Sequence, residues 1–260
     1  MSFLRTGQKV GLAGKVNLMD IPILFEDNDL IVVNKPAGVV VNRAQSVAGE
    51  TVQDWAEKKL GLASVQPQSW GDSFESRAGI VHRIDKETSG VLVIAKNPHA
   101  FAVLQGQFKD RTIHKTYMAL VHGAVVPVDG EIRAPVGRLP WNRERFGILP
   151  GGKEALTKYT VARSWEVTHG KVKEQISLVE LHPETGRTHQ IRVHLKYINH
   201  PIVGDFLYAG RKTARADRVW APRVMLHAWK ITITHPATAA PLAIEAPIPD
   251  DMDRIIHGLS

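Results

Sequence analysis

Apolar residues follow two rhythms along this chain of 260 residues. Leu30-Ile31-Val32-Val33 and Val91-Leu92-Val93-Ile94-Ala95 are continuous runs and read as strands buried on both faces. Between them the period becomes helical. Val52, Trp55, Ala56 and Leu60 share one face, with Thr51 and Asp54 placed to cap the start and Gly61 to end it. Asn97-Pro98 opens a second helix, with Pro at the first position, where its missing N–H costs nothing. Phe101, Leu104 and Phe108 then fall at i, i+3 and i+7 on its core face.

Tyr117 to Val121 reads as a strand, and residues 157–167 and 175–181 as two more around a turn at His169-Gly170, an antiparallel meander. Residues 64–79 read as a polar loop, and 127–155, rich in Pro, Gly and Arg, as an exposed excursion or hairpin. A third helix follows Glu184-Thr185-Gly186-Arg187, with Thr188 as its cap and Ile191, Leu195 and Ile198 as its buried stripe. His189, Arg192 and Lys196 lie on another face of that helix, where they would present cations. Residues 204–220 read as loop, 224–235 as a long strand, 242–245 as another, and Asp250 as the cap of a last helix. Strands and helices do not alternate as βαβ units, so the expected fold class is α+β with a largely antiparallel central sheet flanked by helices.

Composition narrows the setting. The chain is 43% hydrophobic with a mean hydropathy of −0.14, long enough to bury a sizeable core and without a run that could cross a membrane. It has no Cys, so it has neither disulfides nor thiolate metal sites, and a cytoplasmic location is the simplest expectation. The net charge is +7, and residues 187–230, with nine basic residues against Asp205 and Asp217, hold the whole excess. Charge concentrated in this way points to a phosphate backbone as partner, the alternative being a solvated basic face. Lys35, in Asn34-Lys35-Pro36-Ala37-Gly38, reads as an ordinary turn lysine that could also touch phosphate.

The chemistry centres on His82-Arg83-Ile84-Asp85-Lys86-Glu87-Thr88-Ser89-Gly90, directly before the second apolar run. An acid between basic residues, with Gly90 marking a turn or close backbone approach, can hold one carboxylate at the mouth of a rigid strand. Taken alone, the pattern fits a surface turn with an Asp–Arg ion pair better. His189 and His194, at i and i+5, point to different helical faces and make no metal motif. Asp85 with Glu87 would suit a glycosidase, but the basic charge and the 7% aromatic content argue against a neutral glycan.

Read with its neighbours, the stretch resembles the signature of the RluA-type RNA pseudouridine synthases. Asn34-Lys35-Pro36-Ala37-Gly38-Val39-Val40-Val41-Asn42 resembles an early motif of that family, residues 186–195 and 200–208 its late basic motif, and 225–236 its closing strand, in the family's order over residues 20–250. The departures are Ile84 for Leu, Asn42 for His, Phe206 for Pro and an enlarged segment from Ala209 to Trp220, and they bear on which RNA is the substrate. The resemblance implies the pseudouridine synthase fold over residues 21–260, with residues 1–20 an extension, faintly similar to the end of an RNA-binding module.

It also implies isomerisation of uridine without metal or other cofactor, acting on ribosomal RNA of the large subunit, with transfer RNA as runner-up; separately from the resemblance, a monomer is expected. A non-catalytic RNA-binding protein on the same scaffold is the competing class. Asp85 would be the essential carboxylate, Arg192 rather than Arg187 its guanidinium partner, and Tyr117 the ring against the target base. Leu226 would lie beneath the base, and Arg83 would support extrusion of the nucleotide. His82, Arg187, His189 and Gln190 complete the expected RNA-contacting set.

Overall fold

A computed structural model describes residues 21–45, 47–62, 71–169 and 172–259. The expected extension over 1–20, part of the loop at 64–70 and Gly170 of the meander turn lie outside these residues. The described chain forms two compact units, between which it passes at Lys115/Thr116, His227/Ala228 and Pro247/Ile248.

The described residues of the first unit, from Ile21 to Lys115 with Ala228 to Pro247, carry β1 (Ile23–Glu26), β2 (Leu30–Lys35), α1 (Val52–Leu60), α2 (Phe74–Arg77), β3 (Ser89–Ala95) and α3 (Pro98–Asp110). Its strand order is β1-β2-β3-β10, where β10 is Leu226–Thr234, with β11 (Pro241–Glu245) on the far side of β10. The pairs β1–β2, β2–β3 and β10–β11 are antiparallel. Every residue of β3 is buried, as a continuous apolar run requires. Phe101 and Leu104 of α3 join Val91 and Val93 in the core, and Phe108 packs against it.

The caps follow the sequence closely. Thr51 and Asp54 form a reciprocal capping box, Gly61 ends α1 in the left-handed region at φ 65°, and the Asn97 side chain accepts from the Ala100 N–H at the start of α3. Gly90 has φ 112°, and a Cβ there would lie 2.1 Å from the Ala228 carbonyl oxygen, so the close approach expected at this residue is real and admits no side chain.

The second unit carries β4 (His114–His122) from Thr116 onward, β5 (Asp129–Arg133), β6 (Val136–Leu139), β7 (Asn142–Ile148), β8 (Leu156–His169), β9 (Val172–Pro183), α4 (Gln190–Tyr197), α5 (Arg211–Asp217) and α6 (Asp250–Gly258). Strands run in the order β4-β9-β8-β5, each pair antiparallel, and β6–β7 is a separate hairpin whose turn exposes Trp141. The excursion expected over 127–155 thus contains three strands. No described helix is long and apolar enough to cross a membrane.

Four local expectations are corrected. The loop at 64–79 contains α2, one turn opened by Ser73 as N-cap and ended by Ala78. The loop at 204–220 contains α5, whose inward-facing Ala214 and Asp217 are buried. Thr188 does not cap α4; His189 takes the cap position in the left-handed region at φ 57°, and the Gln190 side chain turns back onto the Arg187 N–H instead. Pro249, not Asp250, precedes α6, and Asp250, Asp251 and Asp253 occupy its first turn, where the helix dipole favours acids.

Candidate active site

Asp85 lies on a turn, half-buried, four residues before β3 begins. The Thr88 N–H donates to the Asp85 carbonyl at 3.1 Å and closes the turn. Lys35 then determines where the turn sits. Lys35 is fully buried, and its Nζ donates to three carbonyl oxygens: Pro36 at 2.7 Å, Val39 at 2.9 Å and Lys86 at 3.1 Å. The Gly38 N–H reaches the same Lys86 carbonyl at 2.8 Å. The reading of Lys35 as a turn lysine is therefore overturned. A buried ammonium holds only where donors find acceptors, and here they tie the early Asn34–Gly38 segment to the residue after Asp85.

His82 reinforces the other side of the turn. Its Nε2 accepts the Val93 N–H at 2.9 Å, and its ring stacks on Phe108 at 4.7 Å between centroids. Burial, with the nearby positive charges of Lys115 and Arg77, pushes its pKa down to about 3, so the ring is neutral with its proton on Nδ1. Burial and Arg111 likewise lower Lys115. Arg83, between His82 and Asp85, is exposed.

In the second unit Tyr117 is half-buried on β4, opposite Leu181 of β9. Leu226 is buried at the head of β10, its carbonyl accepting from Arg223 at 3.3 Å. Arg192 is buried, and its Nε and Nη2 meet the two carboxylate oxygens of Asp205 at 2.7 and 2.9 Å. Its guanidinium also lies 5.0 Å from the centre of the Tyr208 ring. Asp205 takes the Leu207 and Tyr208 N–H groups as well. This bidentate grip fixes the plane and position of the guanidinium.

The Tyr208 hydroxyl accepts the Phe146 N–H at 3.0 Å and lies 2.8 Å from Nδ1 of His189, so the root of the β6–β7 hairpin is bound to the start of α4. His189 also meets the edges of the Phe146 and Tyr208 rings. Gln190 is buried with its amide fully committed. Its Oε1 accepts from Thr185 Oγ1 at 2.6 Å and the Arg187 N–H at 3.0 Å, while its Nε2 donates to the Leu156 carbonyl and Thr157 Oγ1. Arg187 is half-buried and donates through Nε to the Glu154 carbonyl.

The expected cationic face of α4 therefore does not form: Arg192 is buried, His189 is partly covered and only Lys196 is exposed. Residues that sequence reasoning missed are Asp205, Tyr208 and the buried role of Lys35. Asp205 had counted only as an acid within a basic stretch, and its separation from Arg192 by the end of a helix and a turn carries no pairing signal. Among the described residues, Asp27, Asp29 and His235 group their ligand atoms as a metal site would. Hydrogen bonds already engage them: Asp27 takes the Asp29 and Leu30 N–H groups and meets His235 Nε2, His235 Nδ1 takes the Ala237 and Thr238 N–H groups, and Asp29 takes Asn97. The group is a clasp between chain segments.

The chain matches the family model described as RNA pseudouridylate synthase over residues 29–197. It belongs to that family. It is 39% identical over 241 residues to the Bacillus subtilis protein named uncharacterized RNA pseudouridine synthase YlyB, covering 93% of this chain and 73% of that one. It is 41% identical over 252 residues to ribosomal large subunit pseudouridine synthase D of Neisseria meningitidis, covering 93% of this chain and 62% of the relative. The solved structure of human RNA pseudouridylate synthase domain containing 1 is similar with a TM-score of 0.68 and 25% identity, over 94% of this chain and 96% of that one. The fold is thus that of the pseudouridine synthases, mixed α and β with mainly antiparallel pairing, and the family's substrate is RNA.

Proposed function

We propose that this synthase-family chain isomerises uridine to pseudouridine in large-subunit ribosomal RNA. The observation that carries the reading is the Asp85 turn, held by the buried Lys35 ammonium and the Gly38 N–H through the Lys86 carbonyl. A protein that only binds RNA gains nothing from a carboxylate on so fixed a support, because an acid opposes phosphate.

The reaction breaks the bond from N1 of uracil to C1′ of ribose and forms one from C5 to C1′. The C5 hydrogen leaves as a proton and N1 gains one, so no electron is transferred and no group is carried. We assign Asp85 as the essential carboxylate, ionised to act as nucleophile or base. Tyr117 contributes a ring with a polar tip, suited to a base taken out of its stack. Arg192 contributes a guanidinium whose orientation Asp205 fixes, and Leu226 an apolar surface for a detached uracil. Exposed Arg83 and half-buried Arg187 and His189 contact RNA. His82 and Gln190, expected at the substrate, act by positioning: one as a neutral acceptor on β3, the other as a tie between residues 156–157 and the entry to α4.

The test is tritium release from uridine labelled at C5, in ribosomal and transfer RNA separately, with EDTA present. Release from large-subunit RNA by wild type and none by Asp85→Asn supports the reading. Release from transfer RNA alone moves the substrate, and release by both proteins removes Asp85 from the chemistry.

A further inference from the structure

The nine basic residues of 187–230 are not one surface. Arg192 is buried on Asp205, Arg223 is buried on Asp251 at 2.6 Å, and Lys230 pairs with Glu245 at 2.6 Å. Four of the others gather on α5 and the residue after it: Arg211, Lys212, Arg215 and Arg218, all exposed. Arg211, Arg215 and Arg218 recur at i, i+4 and i+7 and so share a helical face. Among the described residues, Arg211, Lys212 and Arg215 have no acidic partner. Arg218 lies over the Phe206 ring, 3.6 Å from its centre, which holds the guanidinium in place while leaving it exposed.

The inner face is anchored with equal specificity. Asp217 is buried, and its Oδ2 accepts the Gly204 N–H at 2.8 Å and meets His122 Nε2 at 3.1 Å. The other ring nitrogen of His122 meets Glu174 of β9. Gly204 has φ 77°, and a Cβ on it would lie 1.9 Å from the Arg223 carbonyl oxygen, so this turn is packed tightly. Asp205, the next residue, grips Arg192. The short helix that carries these cations is thus tied on its inner side to the turn that orients Arg192, and Arg218 just after it is held by Phe206. A merely soluble surface has no need of such anchoring, whereas a polyanion recognised by shape does.

We propose that the outer face of α5, with Arg211, Lys212, Arg215 and Arg218, is a docking ridge for the phosphate backbone of the RNA substrate. The inference rests on RNA being the substrate and assigns the ridge to affinity, not to chemistry. The test compares the full chain with the triple variant R211A/K212A/R215A. The probe is an unmodified large-subunit ribosomal RNA transcript, with binding followed as salt is raised and tritium release measured in parallel.

Three lost phosphate contacts make the slope of log affinity against log salt shallower by about 2 to 3, at roughly 0.7–0.9 per contact, and weaken binding on the order of tenfold at low salt. KM for RNA rises with kcat unchanged. A charge-matched control, K58A/K173A/R254A, retains the wild-type slope. If the triple variant unfolds, R211Q/R215Q is used, with a slope change of about 1.5 expected. A folded ridge variant with the affinity and slope of the wild type, or a control that loses as much, overturns the ridge. Wild-type tritium release with an unchanged ridge variant leaves the pseudouridine reading standing without the ridge. Ridge-dependent binding with no wild-type release keeps the ridge and overturns that reading.

Discussion

His82, beside the Asp85 turn, and His122, beneath α5, occupy similarly covered positions and carry opposite charge preferences. Burial disfavours the imidazolium in both. Around His82 everything else agrees with burial: a backbone N–H points at Nε2, a ring stacks on the face, and the nearby charges are the cations Lys115 and Arg77. Around His122 the hydrogen bonds and charges of Asp217 and then Glu174 outweigh burial and raise its pKa. Partner identity, more than depth, decides the protonation state of a covered histidine.

The contrast extends beyond the two rings. The Asp85 turn is held by an ammonium on three carbonyls and by a neutral imidazole, whereas the Arg192 segment is held by ion pairs. The first arrangement places a carboxylate without a second carboxylate; the second uses carboxylates to orient cations.

The largest effect expected is chemical. Asp85→Asn lowers tritium release on the order of 10⁴-fold or more while RNA binding stays within a few-fold of wild type, since only the chemical step needs the ionised group. Retained turnover would remove the reason for the specialised support beneath Asp85.

Next comes Asp205→Asn, which removes the Asp205 carboxylate from the buried Arg192 guanidinium. It costs about 3–5 kcal/mol in denaturant unfolding, and its release activity falls with Arg192→Ala. Lys35→Met breaks the other half of the comparison by removing the ammonium from the Pro36 and Val39 carbonyls and leaving the Lys86 carbonyl with the Gly38 N–H. It costs about 2–3 kcal/mol and lowers kcat by displacing the Asp85 turn. A Lys35→Met protein of wild-type stability and kcat would show that the ammonium positions nothing.

The two histidines sharpen the comparison through pH. The His82 pKa is depressed in the folded state to about 3, so the unfolded chain takes up the proton first. Its contribution is full above the ordinary histidine pKa and is lost as pH falls, at up to about 1.4 kcal/mol per pH unit below roughly 6.5. The His122 pKa is raised, so its contribution is present below about 6.5 and lost as pH rises through the folded value. In urea unfolding between pH 5 and 6.5, His82→Gln flattens the acid-side decline, part of which remains because burial also lowers His194. Above about pH 6.5, His122→Gln flattens the decline on the alkaline side. Identical pH profiles for the two variants would erase the distinction.

What could be read along the chain was local or carried by resemblance. The capping box at Thr51 and Asp54, the start of α3 at Asn97-Pro98, the buried run of β3 and the close approach at Gly90 depend on residues a few positions apart, or on the one residue type a position can hold. The motifs named the family and placed Asp85 before β3. The chain's order alone could not show that Lys35 is buried, that Arg192 is gripped by Asp205, that α5 exists with its cations outward, or that one histidine is neutral and another favours its charged form. Each depends on a partner brought close only by folding: Lys86 to Lys35, Asp205 to Arg192, Asp217 and Glu174 to His122. A charge can be buried only where its counter-charge or acceptors meet it in space, so the tertiary structure decided which charged residues are held inside and which remain exposed.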